Sequence, residues 1–129
     1  MRYGYTIVYV ADVEATLAFY ERAFGLARRF LHESGQYGEL DTGATTLAFS
    51  RHDLAETLFP GGYAPARPGE PPAGVELGLV TEDVAGAYAR AVAAGATPLK
   101  EPAQKPWGQT VGYVRDLNGV LIELCTPMG

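Results

Sequence analysis

Three carboxylates stand in stretches that otherwise read as apolar or strand-like. Glu123 sits inside GVLIELCTP (119–127), Glu39 inside YGELDTG (37–43) and Glu76 inside VELGLV (75–80). An unpaired carboxylate in a dry sheet costs several kcal/mol, so each needs a counter-group. Arginine, lysine, tyrosine or water would serve. Three carboxylates and a neutral phenol could instead hold a hard divalent ion such as magnesium, calcium or manganese. Without a metal, clustered like charges lift at least one carboxyl above an ordinary glutamate, which suits acid–base chemistry or capture of a cation.

Aromatic residues accompany these acids. Tyr5, Tyr9 and Tyr37 fall on the same expected strand faces, and Trp107 lies in a loop before a strand. Ring faces beside carboxylates attract positive charge and make a ligand-recognising surface; the same rings could equally fill a core or a dimer interface. Phe59 and Tyr63, in LFPGGY, could form a lid over such a surface or tether a plain surface loop. His32 and His52 read as structural or solvated, and Cys125 as a buried inert thiol with no adjacent His or Lys. Phosphate-loop, dinucleotide-fold, CxxC and serine-hydrolase patterns are missing from the sequence.

The elements that must carry these residues form an internal repeat. In the first copy Tyr5, Ile7 and Tyr9 alternate as in a strand, Asp12 is an N-cap, and Val13, Leu17, Tyr20 and Phe24 recur at helix spacing before Gly25. In the second, Asp83 caps, Val84, Tyr88 and Ala91 make the apolar face, and Gly95 stops the helix. The copies are offset by 83 − 12 = 71 residues. Extended, turn-punctuated segments follow each helix. The expected organisation is one α+β domain over 1–129, built of two βαβββ modules (1–50 and 75–129) joined by a Pro/Gly-rich linker (51–74). The offset equates Tyr5 with Glu76, and the matching phrases ELDT and ELCT equate Glu39 with Glu123. On that reading the three glutamates converge in one cleft on the open sheet faces.

Composition narrows the partners. The chain has 129 residues, 47% of them hydrophobic, one cysteine and a net charge of −5. Such a charge argues against nucleic acid and anionic membranes, and no apolar run is long enough to span a bilayer. The opening MRYGYTIVYV reads as a strand without the cleavage pattern of a secretory leader, and the lone cysteine suits a reducing cytoplasm.

Two segments, VADVEATLAFYERAFGL (10–26) and KPWGQTVGYVRDLNGVLIEL (105–124), carry a family likeness. The more specific is the second, with Trp107-Gly108, Asp116, the turn Asn118-Gly119, and Glu123. The chain resembles the vicinal oxygen chelate superfamily, which includes glyoxalase I, bleomycin resistance proteins, fosfomycin resistance enzymes and extradiol dioxygenases. The resemblance implies paired βαβββ modules, cup-shaped sheets and a homodimer. It also implies four metal-ligand places, which here look like Tyr5, Glu39, Glu76 and Glu123, without the histidines that metal-using relatives carry. The expected function is a small-molecule-binding protein that captures an organic ligand through Tyr5, Tyr9, Tyr37, Glu39, Glu76, Trp107 and Glu123, with no cofactor. The alternative is a lyase, isomerase or dioxygenase of glyoxalase type, with a divalent ion on Glu39, Glu76 and Glu123 and with Glu39 and Glu123 as its catalytic residues.

Overall fold

The computed structural model describes residues 1–128. The chain divides into two compact units, Met1–Pro65 and the chain from Ala66 onward. The division falls inside the Pro/Gly-rich stretch 51–74 expected to be a linker.

The first unit runs β1 (Tyr5–Val10), α1 (Val13–Phe24), β2 (Arg28–Leu31), β3 (Tyr37–Leu40), β4 (Thr46–Arg51) and the short α2 (His52–Ala55). Its sheet order is β1-β4-β3-β2, with β1 parallel to β4 and the other pairs antiparallel. Asp12 starts α1 by accepting the Ala15 amide at 3.0 Å, and Gly25 ends it in the left-handed region at φ 69°. Leu17, Phe19 and Tyr20 are fully buried, and the Tyr20 ring lies 5.0 Å from that of Phe49 on β4. The helix sits close on the sheet because β3 has a glycine beneath it. A Cβ on Gly38 would come within 2.7 Å of Leu17 Cδ1 and 3.2 Å of the Phe30 carbonyl oxygen.

The second unit runs β5 (Glu76–Val80), α3 (Val84–Ala93), β6 (Thr97–Gln104), β7 (Thr110–Arg115) and β8 (Leu121–Cys125). The order β5-β8-β7-β6 repeats that of the first sheet, again with the first strand parallel to the last. Asp83 caps α3 by accepting the Gly86 amide at 2.9 Å. Val84 and Ala91 of α3 are buried, as are Val114, Ile122 and Leu124 of the sheet beneath. Both expected βαβββ modules are therefore present, with helices starting where Asp12 and Asp83 predict.

The strand order corrects one equivalence. Glu123 lies on β8, the last strand of its module, whereas Glu39 lies on β3, the last but one. Ile7 pairs with Ala48 as Gly78 pairs with Glu123, so the counterpart of Glu123 is Ala48. Glu39 pairs with Ala48 as Tyr113 pairs with Glu123, so the counterpart of Glu39 is Tyr113. Position in a sheet follows hydrogen-bonded order, and the shared tetrapeptides ELDT and ELCT fall on different strands. The equivalence of Tyr5 and Glu76 holds, since each opens the first strand of its module.

Urea denaturation should show Asp83→Ala to be destabilised by about 1 kcal/mol through its lost cap. Gly38→Ala should cost about 1–3 kcal/mol, because the added methyl meets a packed helix on one side and backbone on the other. Unchanged midpoints in both would contradict the helix starts and the tight α1–β3 contact.

Candidate ligand site on the second sheet

In the second unit, strand alternation sends Ile122, Leu124 and Val114 toward α3 and leaves Glu76, Glu123, Tyr113 and Cys125 on the opposite face. β8 lies between β5 and β7, so Glu123 has Glu76 on one side and Tyr113 on the other. The Tyr113 hydroxyl donates to Glu123 Oε1 at 3.0 Å. Glu76 lies on the same face across the parallel strand pair, near enough for its carboxyl to feel the charge of Glu123. Gly78, directly opposite Glu123, has open space where a side chain would stand. The pair is thus flanked by bare backbone with open space above it.

A buried turn fixes the register of β8. Asp116 is 2% exposed, and its Oδ1 accepts the amides of Asn118 and Val120, both at 2.8 Å. Gly119 adopts φ 92° there, and an added Cβ would meet the Arg67 carbonyl oxygen at 2.7 Å. The Asp116, Asn118 and Gly119 of the sequence motif therefore build the hairpin that sets Tyr113 against Glu123.

The electrostatics follow from this placement. Partial desolvation of its carboxyl, then the charge of Glu123, raise the Glu76 pKa above the glutamate value of 4.5. Tyr113 is pushed up to about 12, first by desolvation and then by its bond to Glu123. Cys125 is pushed up to about 11 by desolvation and by the neighbouring carboxyls of Glu123 and Glu76. Both therefore remain protonated donors at neutral pH, and Cys125 is no nucleophile.

The other expected site residues are distributed differently. Glu39 belongs to the first unit and is buried, with Tyr37 donating to its Oε2 at 2.7 Å and Arg29 lying 3.7 Å from its Oε1. Desolvation and this contact raise the Tyr37 pKa, with a smaller effect from nearby Tyr5. Tyr9 packs against Tyr63 at 4.8 Å and Phe59 at 6.4 Å, and His52 Nδ1 lies 2.6 Å from the Tyr63 hydroxyl. The two linker aromatics thus rest on β1. Trp107 is exposed in the β6–β7 turn, donating to Gln109 Oε1 at 2.7 Å. His32 shares a turn with Ser34. Glu76 and Glu123 come together as expected. Tyr113, absent from the expected set, joins them. Its signal is present in QTVGYVRD, because a turn at Asn118-Gly119 folds Tyr113 back onto Glu123.

A divalent ion fits this set poorly. The open face offers two carboxylates, one of them biased toward its protonated form, and phenol and thiol groups that hold their protons. Imidazole is missing from the face, and among the described residues no group of three or more His, Cys, Asp or Glu is arranged to hold a metal.

Comparisons with known proteins bear on the whole chain. Residues 2–124 match the model of the Glyoxalase/Bleomycin resistance protein/Dioxygenase superfamily. A glyoxalase-related enzyme from Fulvimarina pelagi is similar over 98% of this chain and 88% of its own, at 26% identity and a TM-score of 0.77. TioX from Micromonospora sp. ML1 is 23% identical, with 98% of both chains covered and a TM-score of 0.72. A glyoxalase/bleomycin resistance protein/dioxygenase family enzyme from Burkholderia phytofirmans PsJN is 23% identical, over 95% of this chain and 96% of its own, with a TM-score of 0.68. The last two show a shared fold alone. No curated protein matches the chain.

The carboxyl pair has a signature in stability. The folded chain holds the Glu76 proton more tightly than the unfolded chain does. Stability therefore falls as pH rises from 4.5 through the folded midpoint. Glu76→Gln removes that loss. Its melting temperature should exceed that of the unaltered protein at neutral pH, with the difference vanishing near about pH 3, where glutamates are neutral. A variant less stable at neutral pH would show that the pair is not repulsive.

Proposed function

The chain belongs to the glyoxalase/bleomycin resistance protein/dioxygenase superfamily, and on that premise we propose that its second sheet captures a small organic cation on Glu76 and Glu123. The observation that carries this reading is the juxtaposition of two carboxyls on an open face beside the bare backbone of Gly78. Their mutual repulsion is relieved by an incoming ammonium or guanidinium group. A guanidinium can bond both carboxylates with its planar fork, while the Tyr113 ring adds a π-face. No metal or cofactor is part of this capture. The acid that relatives could use to hold an ion serves here as the counter-charge to the ligand itself.

The pH dependence follows. Ionisation of Glu76 adds a negative charge to the site, so affinity for a cation rises as pH rises through its raised midpoint. Amide NMR titration with methylguanidinium, a primary alkylamine, a quaternary ammonium and their neutral amide isosteres tests the reading. The cations should perturb Glu76, Gly78, Tyr113 and Glu123, and the isosteres should not. Glu123→Gln should weaken binding by about tenfold or more. Equal responses to cations and isosteres would refute charge recognition.

We further propose that the chain self-associates as a homodimer. Tyr5 and Ile7, 56% and 44% exposed, stand on β1, an edge strand of the first sheet. An exposed apolar edge is a template for pairing that a second copy would cover. Light scattering at micromolar concentration should give the mass of two chains, and a single-chain mass would overturn this.

A further inference from the structure

Arg115 is a cation on the acidic face. It alternates with Tyr113 along β7, and its cross-strand partner on β8 is Leu121. Two residues from Leu121 in one direction is Gly119, and two in the other is Glu123. A side chain as long as arginine reaches diagonal neighbours of this kind. Lys100, on β6, is one strand further from Glu123, beyond Tyr113. The charged choice for Arg115 is Glu123, whose carboxylate matches the planar fork of a guanidinium. The side chain has turned the other way. Its Nε donates to the Gly119 carbonyl at 2.9 Å and its Nη2 to the Arg67 carbonyl at 3.1 Å.

A turn of the linker offers that second carbonyl. Pro68 and Gly69 form its middle, and the Glu70 amide bonds back to the Arg67 carbonyl at 3.3 Å. Proline presets φ at the first middle place, and Gly69 supplies the positive φ, 85°, that a type II turn requires at the next. The turn also seats on the hairpin. A Cβ on Gly119 would lie 2.7 Å from the Arg67 carbonyl oxygen and 2.8 Å from Arg115 Nη2. A bare glycine lets linker, guanidinium and hairpin meet at one point. Arg67, Pro68, Gly69 and Glu70 are all exposed, so water can replace this contact while the strands beneath keep their ladder.

We propose that the Arg67–Glu70 turn is a catch on Arg115: docked, it keeps the guanidinium on the hairpin and leaves Glu123 open to an outside cation; lifted, it frees Arg115 to swing past Leu121 onto Glu123 and fill the place that cation would take. Once the Arg67 carbonyl is gone, Arg115 has a neutral acceptor on one side, Gly119, and a charged one on the other. The two positions of Arg115 rest on the strand register and the linker turn. The exclusion of a ligand rests on the cation-capture reading above.

Gly69→Ala tests the catch from outside the site. The added methyl has open space around it, and its effect is strain at a positive φ. In NMR of the folded variant, the Arg115 Nε signal and the Glu123 carboxyl-carbon signal should both move, and adding Arg115→Met should return that of Glu123. Methylguanidinium should bind Gly69→Ala about fivefold or more weakly, and the double variant should regain the lost affinity. Arg115 and Glu123 signals unmoved by Gly69→Ala overturn the proposal. If that variant does not fold, Arg115→Met alone supplies a second reading. The Glu70 amide, which shares the Arg67 carbonyl with Arg115, should then exchange faster with solvent, and unchanged exchange overturns the catch. Signals that move while affinity stays the same overturn the exclusion of the ligand. An Arg115-dependent shift of Glu123 in protein that binds methylguanidinium in no form supports the catch and overturns the ligand reading instead.

Discussion

Two carboxyls held side by side across the β5–β8 strand pair are the constraint around which the second unit is arranged. Neither side chain can turn away by a change of register. A one-residue slip of β8 would carry Ile122 and Leu124 out of the core and Glu123 into it. The hydrophobic contacts under α3 therefore hold the acids together against their repulsion. The turn at Asp116 adds a second lock, since both of its amide contacts fix where β8 begins. The opposition is stable because Ile122 and Leu124 are buried while Glu76 stays exposed to water. Water screens what the core enforces.

Duplication explains the frame and divergence explains the chemistry. Both units share strand order, capped helices and a glycine at the matching sheet position, Gly38 in one and Gly112 in the other. The pair itself is confined to the second unit. Where it has Gly78 and Glu123, the first has Ile7 and Ala48. An isoleucine and an alanine make an apolar floor, and the acid of that sheet, Glu39, is occupied by Arg29 and Tyr37. Its buried carboxylate is compensated within the fold, which is the ordinary fate of an acid in a sheet.

Much of this was legible from the chain. Asp12 and Asp83 marked the helix starts because an N-cap depends on one side chain and a local turn. The alternation of Val120, Ile122 and Leu124 against Glu123 marked the faces of β8, since burial acts on every second residue. The pairing of Glu39 with Glu123 was not legible. Four similar letters cannot reveal whether a strand is third or fourth in its module, because that is decided by which strands exchange hydrogen bonds. Tyr113 escaped for a related reason. Its partner lies ten residues away across a hairpin, and the contact emerges only when the turn at Asn118-Gly119 is used to set the register.

The same row of residues also accounts for the quiet cysteine. Burial first holds the thiol protonated, and the carboxylate beside it adds to this, because ionising the thiol would place a second negative charge next to the first. A lysine or histidine at that place would have the opposite effect, lowering the thiol and neutralising the pair. The face is therefore tuned in one direction throughout. Tyr113, Cys125 and Glu76 act on or beside Glu123 there, whereas Arg115 of the same face donates to the Gly119 and Arg67 carbonyls. An acidic face built in this way keeps its charge unspent within the sheet, in contrast to Glu39 with its arginine. On the proposed function, a cation arriving from solution would compete with the proton of Glu76.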